Sequence, residues 1–394
     1  MRRRLIGAGV TWAVAALVVV AAAHPEGCRT PTALEARTAA EAAVEWLSVN
    51  QRDDGAFLYR YDRAAARDLG QYNIVRHAGV LLSLAQAEAA GIDGAGDAFS
   101  SGLDWAEDRI VDAESGSALA EGQTAETGAA ALLVAALVEW REATGDTGQD
   151  DLVRDLGEFL AASVTPEGAV VALVDVDEGD VADSRSPFST GEVAWALARL
   201  HTTFPDEGWD EPARRVLGYI AAERDDVERR FPPVSDHWSA YALAEVGVEW
   251  GAPLTEDERD LVRRQAALFG LQTRYESQRR ETGPVRWTRG PIALPAGVGT
   301  LGEGLGAMHR LAAVDDVAAD MQDQVDDRLR CVAGILVDRQ VSGVEAADEQ
   351  PAAPVAGAWF RLGITQMDDQ QHALSALLAA MDDLPGGDGD GGDS

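Results

Sequence analysis

The chain has 394 residues, 46% apolar and 25% charged, enough to bury a sizeable core. Its 67 acidic residues outweigh 33 basic ones, a formal net charge of −34, and every basic residue is an arginine. That balance argues against nucleic acid or an anionic membrane surface as a partner of the folded body.

The first residues, Met1 to Arg4, form a basic head, and Leu5 to Ala23 is an apolar run ending in three alanines before His24 and Pro25. Residues 1–24 therefore read as a signal peptide or a retained N-terminal anchor, which puts the rest of the chain at the cell envelope or outside the cell. On this reading the membrane is touched only through that segment. Two cysteines, Cys28 and Cys331, are too few for a disulfide-built scaffold.

From Pro31 onward two kinds of helical stretch alternate. The first kind carries charge on one face: Pro31 to Asn50, Asp97 to Asp112, Asp150 to Val164, Glu211 to Ala222, Thr255 to Gln272 and Val314 to Asp338. The second kind is rich in Ala, Gly and Leu and opens on polar residues, as in QYNIVRHAGVLLSLA from Gln71. The pattern returns at GQTAETGAAALLVAAL, STGEVAWALARL, SDHWSAYALAEV, GVGTLGEGLGAMHRL and TQMDDQQHALSALL. Helices without a charged face are buried ones, so twelve helices alternate exposed and buried in six hairpins. Ser189-Thr190, Ser235-Asp236 and Thr365 are start signals, and glycine- and proline-rich turns such as Trp250 to Pro253 are stops.

Links from a buried helix to the next exposed one are short, whereas the reverse links are often long: Gln51 to Tyr72, Thr165 to Pro187, Thr273 to Val298 and Gln340 to Gln366. The long links thus gather at the end that bears the N-termini of the buried helices, where a binding surface is expected. The last residues, 384–394, have almost nothing apolar to bury and read as a disordered acidic, glycine-rich tail.

Six hairpins with this contrast resemble the (α/α)6 toroid, the barrel of six-hairpin glycosidases, sugar epimerases and the terpenoid-cyclase group. The resemblance covers Pro31 to Leu384, with the domain itself at 31–383. One local likeness accompanies it: Gln51 to Phe57 (QRDDGAF) is similar to the Gln…Gly-x-aromatic turn of the cyclase repeats, with an echo at Gln340…Gly343. The turn is a packing device and carries no chemistry. If the ring closes, the N-terminal segment lies beside the last hairpin, and a Cys28–Cys331 disulfide would staple it.

Closure would also bring the heads of the buried helices to one mouth. Three of the six histidines, His77, His237 and His372, fall there. Histidine exchanges protons near neutral pH without a large shift, so these are candidates for acid–base work. With Glu192, Asp236 and Asp369, His77 and His237 make up the expected catalytic set. Glu126 and Glu303 stand at comparable heads, where an acid also complements the helix dipole. Tyr59, Tyr61, Tyr72, Asn73, Arg76, Glu126, Trp238, Trp287, Gln371 and His372 are the expected substrate contacts, since sugar rings need apolar faces to stack on and polar groups for their hydroxyls.

The reading is an exported carbohydrate-active enzyme, a hydrolase, lyase or epimerase acting on an extracellular or envelope polysaccharide. Hydrolysis would use two carboxylates, Asp236 with Glu192 or with Asp369. Lyase or epimerase chemistry would use His77 or His237 beside Arg76. The alternative is a non-catalytic glycan-binding toroid. No metal or cofactor is expected, because Cys331 lacks a Cys/His neighbourhood and no phosphate-cradling loop, nucleophile elbow or His-Glu-x-x-His helix is present.

Overall fold

The structure, a computed structural model, describes residues 9–17, 27–177, 179–180, 184–228, 235–283 and 285–386. The basic head, the three-alanine cleavage site and most of the acidic tail lie outside those residues. Among the described residues no helix is long and apolar enough to cross a membrane.

Among the described residues, twelve long helices follow one another as outer and inner partners. The outer ones are α1 (Ala33–Val49), α3 (Ala95–Glu107), α5 (Asp150–Ala162), α7 (Asp210–Ala222), α9 (Glu256–Ser277) and α11 (Gln322–Arg339). The inner ones are α2 (Ile74–Ala89), α4 (Thr127–Thr144), α6 (Ser189–Thr203), α8 (His237–Ala244), α10 (Pro295–Leu311) and α12 (Met367–Ala380). Each inner helix packs on the next, and α12 packs on α2, so the ring closes. The outer helix α1 rests on α12, which joins the start of the chain to its last hairpin. In α4 every residue from Thr127 to Val138 is buried, as expected of a helix without a polar stripe.

Local chemistry sets the helix starts. Thr32 and Glu35 form a reciprocal capping box on α1, and Thr255 with Glu258 does the same on α9. Asn73 caps α2 by accepting the Arg76 N–H, and Asp236 caps α8 by accepting the Ser239 N–H. The start at Thr365 shifts by one, since Gln366 is the capping residue of α12.

Among the described residues, the links that lead into α2, α4, α6 and α12 are not plain loops: they carry eight short strands. β1 (Arg60–Asp62) lies between β2 (Arg67–Asp68) and β8 (Ile364–Gln366). Because β1 belongs to the first hairpin and β8 to the last, this pairing is a second seal on the ring. A second sheet runs β3 (Ile110–Asp112), β4 (Ser117–Glu121), β5 (Thr124–Glu126), β6 (Leu173–Asp175) and β7 (Gly179–Asp180) in order. Ile110 to Asp112 were expected to end an outer helix. Instead α3 stops at Glu107, and β-branched Ile110 and Val111 pair with Leu119 and Ala118. Likewise α11 does not start at Val314; a short turn capped by Asp315 (Asp316–Ala319) precedes it.

Links meet outer helices through glycines. A Cβ on Gly55, Gly116, Gly168 or Gly357 would lie 2.0, 2.0, 2.4 and 2.4 Å from the carbonyl oxygen of Ser101, Asp155, Arg215 and Ala42. All four have positive φ, so no other residue fits without strain. The Gln51 side chain completes the first contact by donating to Gly55 O and Ala98 O, each at 3.0 Å. Gln340 repeats this with Gly357 O and Ala39 O. The expected echo is therefore real in its glutamine, but its glycine is Gly357; a Cβ at Gly343 would meet open space.

Cys28 and Cys331 form the expected disulfide, closing a span of 303 residues. On the chain-entropy argument a loop this long is worth up to about 5 kcal/mol.

Candidate functional site

A cavity of about 1090 Å³ opens at the N-terminal end of the inner helices, and all six inner hairpins line it. Arg76 and Asn73 come from the start of α2, Glu126 from the cap of α4, Glu192 from α6 and His237 and Trp238 from α8. Thr300 and Leu301 come from α10, and Asp368, Gln371 and His372 from α12. Tyr59, on the link before α2, completes the wall.

Two walls differ in chemistry. On one, α8, α10 and α12 bring together His237, Glu303 and His372. The His372 Nδ1–H donates to Glu303 Oε2 at 2.6 Å, and the two imidazole rings lie 5.2 Å apart, edge to face. Glu303 sits two turns into α10, fully buried. It can reach His372 because α10 and α12 approach closely through glycines: a Cβ on Gly299 or Gly302 would collide with His372 or Ala376. Burial works against a charge on His372, but Glu303's charge and hydrogen bond outweigh it and push His372 up to about 9. His372 is thus an imidazolium at neutral pH.

His237 is its opposite. It is 2% exposed, and neither ring nitrogen has a hydrogen-bond partner among the described residues; Nε2 comes to 3.7 Å of Glu303 Oε2. Burial, with the neighbouring His372 charge, holds it well below the usual histidine range. It is a neutral imidazole with a free lone pair, tilted against the Trp238 ring with centroids 4.1 Å apart. Atoms of His237, Glu303 and His372 lie within 4.8 Å of one another, near enough to gather round one divalent cation. A cation there would displace the proton that Glu303 and His372 share.

On the other wall stand Glu126 and Glu192, from adjacent inner helices. Glu192 is 5% exposed, and burial pushes it up to about 8, with the Asp236 charge adding to the effect. Burial also raises Glu126. At the heads of α2 and α12, Arg76 donates to Tyr59 Oη at 2.5 Å and approaches Asp368 at 3.5 Å, and Asp368 lies 3.8 Å from His372 Nε2.

Nine expected site residues meet here: Tyr59, Asn73, Arg76, Glu126, Glu192, His237, Trp238, Gln371 and His372. Six do not line the cavity. His77 points away and is saturated: Tyr72 O–H donates to its Nδ1 at 2.7 Å, and its Nε2–H donates to Gly102 O at 2.8 Å. It also stacks on Trp105. Tyr72 is spent on that bond and on accepting the Phe57 N–H. Tyr61 is buried in β1, between β2 and β8. Asp236 is held by the Ser239 N–H on one oxygen and by buried Arg224 on the other. Asp369 accepts the N–H groups of Ala296 and Gln366, although burial pushes it up to about 7. The carboxylate pairs expected for hydrolysis each include Asp236, whose oxygens are already committed. Trp287 is 91% exposed on a short turn outside the cavity.

Sequence reasoning passed over Asp368, Glu276 and Arg279 as cavity residues, and gave Glu303 no more than a helix-head role. Asp368 was within reach, being adjacent to Asp369 at the head of α12. Nothing local marks Glu303, which is defined by the helix packed against it.

No protein-family profile matches the sequence, and no curated protein matches it. Solved structures do. A sugar epimerase from a ruminal bacterium superposes with a TM-score of 0.59 at 12% identity, covering 89% of this chain and 98% of that one. Cellobiose 2-epimerase from Bacillus thermoamylovorans B4167 gives 0.61 at 10% identity, covering 89% and 98%. An inactive variant of the α-1,6-mannanase of Salegentibacter sp. HEL1_6, in complex with α-1,6-mannotetrose, gives 0.60 at 14% identity, covering 88% and 98%. At these identities the likeness fixes the fold, and the fold is the (α/α)6 toroid built by six-hairpin glycosidases and sugar epimerases.

Proposed function

We propose that the chain is a carbohydrate-active enzyme of the epimerase or isomerase type, moving a carbon-bound proton of a reducing sugar between His237 and His372. The observation that carries this reading is the contrast within the pair: a neutral, unpartnered imidazole beside an imidazolium fixed by Glu303, both facing one cavity. A base and an acid in contact with one substrate are what proton transfer next to a carbonyl requires.

In the step, His237 takes the proton from the carbon beside the carbonyl of the open-chain sugar. The C–H electron pair moves into the carbonyl to give an enediolate. His372 returns a proton from Nε2 to the other face of the same carbon, or, for an isomer, to the neighbouring carbon as the hydroxyl proton of the second carbon passes to the first oxygen and leaves a ketone. The histidines have then exchanged charge states, and the reverse turnover resets them. Glu303 holds the imidazolium and aims it; Arg76, Tyr59 and Trp238 offer a cation, a hydroxyl and a stacking face. At about 1090 Å³ the cavity has room for a di- or trisaccharide. We further propose that the chain is exported or anchored at its N-terminus; the basic-then-apolar leader and the Cys28–Cys331 disulfide support this.

The test is incubation of glucose, mannose, cellobiose and mannobiose in deuterium oxide with wild type and His237→Asn. Deuterium at the carbon beside the anomeric centre, together with a second epimer or a ketose, is the expected result, abolished in the variant. New reducing ends from a mannan or glucan, without exchange, would overturn the reading in favour of hydrolysis. Retention of a glycan with neither signal would leave a binding protein.

A further inference from the structure

We propose that Glu126 and Glu192 form an acid–base pair that opens the pyranose ring, ahead of the proton transfer between the histidines. This rests on the reading of His237 and His372 given above, since that chemistry needs a free carbonyl and sugars in water are almost wholly closed rings.

The argument starts from position. The inner ring runs α2, α4, α6, α8, α10, α12, so α6 stands opposite α12 and Glu192 faces His372 across the mouth. A sugar held with its reacting carbon at the histidines therefore turns another edge toward Glu192. The side chain of Glu192 is buried in the cavity wall, and among the described residues it makes no hydrogen bond or ion pair. Its carboxyl group therefore faces the cavity without a protein partner, open to whatever enters. Room for it is made by Gly128 on α4, where a Cβ would lie 2.3 Å from Glu192 Oε2. Glu126 is the capping residue of that same helix, yet its side chain makes no cap hydrogen bond and lines the cavity instead.

The two carboxyls differ in the way a ring-opening pair requires. Burial raises Glu192 to about 8, with the charges of Asp236, Glu126 and Asp368 adding and that of His372 opposing, so it carries a proton at neutral pH. Glu126 is only half buried, and its rise comes from burial and from Glu121. Glu192 is then the acid and Glu126 the base. The Glu192 proton passes to the ring oxygen as the bond from the anomeric carbon to that oxygen breaks, its electron pair staying on oxygen. The anomeric O–H pair becomes the second bond of the new carbonyl, and Glu126 takes that proton. Ring closure is the reverse.

The measurement is anomer exchange. Freshly dissolved α-D-glucose, α-D-mannose and α-cellobiose are followed by polarimetry with wild type, Glu192→Gln and Glu126→Gln. Wild type should accelerate mutarotation of at least one of them, and Glu192→Gln should cut that acceleration by about 100-fold or more. Glu126→Gln should cut it at least about tenfold. No acceleration by wild type, or full acceleration by Glu192→Gln, would overturn the pair. Should Glu192→Gln fail to fold, half-exposed Glu126 carries the test alone. Deuterium exchange without mutarotation would sink the ring-opening pair and leave the histidines; mutarotation without exchange would do the reverse.

Discussion

His77 and His237 both belong to the polar heads of inner helices, behind an Asn73 or Asp236 cap, and both are buried to within 2% of full. One has spent both ring nitrogens on protein partners and leans on Trp105; the other has spent neither and lies beside a second histidine. The difference arises from register. His77 sits on the fourth residue of α2, so its ring turns outward between α2 and α3 and meets Gly102. His237 is the first residue of α8 and looks into the mouth. A buried imidazole with its hydrogen bonds filled is part of the frame, and one that the protein leaves unfilled is open to water or a ligand.

The comparison can be broken from either side. The largest expected effect is on turnover: His237→Asn should lower kcat by about 10²- to 10⁴-fold while the melting temperature hardly moves, since no protein hydrogen bond is lost. A stability loss with kcat retained would make His237 a frame residue like His77. His77→Leu should show the converse, a stability loss of about 2–4 kcal/mol in a denaturant titration from the stranded Tyr72 hydroxyl and Gly102 carbonyl. Its kcat per folded molecule should stay within about threefold.

A smaller effect should appear against pH. Burial holds His77 down to about 3, with Arg109 lowering and Asp54 raising it, while the unfolded chain titrates it near 6.5. The folded state therefore binds fewer protons, and the stability from His77 is full above about pH 6.5 and lost as pH falls toward 3. His77→Leu should flatten that acid limb in thermal melts across pH. His372 shifts the other way: its contribution is full below about 6.5 and lost as pH rises through about 9. If the pair works as proposed, kcat should fall on that same alkaline limb. The smallest effect is reserved for Trp287→Ala, which should change kcat/KM by less than about twofold in steady-state assays, because the ring is in solvent. A tenfold loss would restore Trp287 to the substrate contacts.

The alternation of charged and pale helices made the ring legible, because burial on all sides leaves no room for a polar stripe in α4 or α10. The location of the site was legible too, since the polar heads and the long links fall at one end. What each head does was not. Asp236, Asp369 and His77 have the right chemistry in the right place, and only the approach of Arg224, Ala296 and Gly102 shows that they are already engaged. Glu303 illustrates the converse, its role coming from glycines that let α12 draw near. The strands escaped notice because pieces of two to five residues between Gly turns carry too little alternation to register.

Ala33, five residues after Cys28 of the disulfide, donates its N–H to Pro385 O at 2.9 Å, a further link between the start of the domain and the end of its last hairpin. The polymer is linear, but its fold has no beginning. Each hairpin meets two neighbours of the same kind, and the seam between last and first is built like the other five, with a crosslink added. The starting point of such a chain is a matter of synthesis rather than of architecture. The short turns opposite the mouth, such as the one at Gly145, could serve as its ends equally well, and the mouth would not register the change.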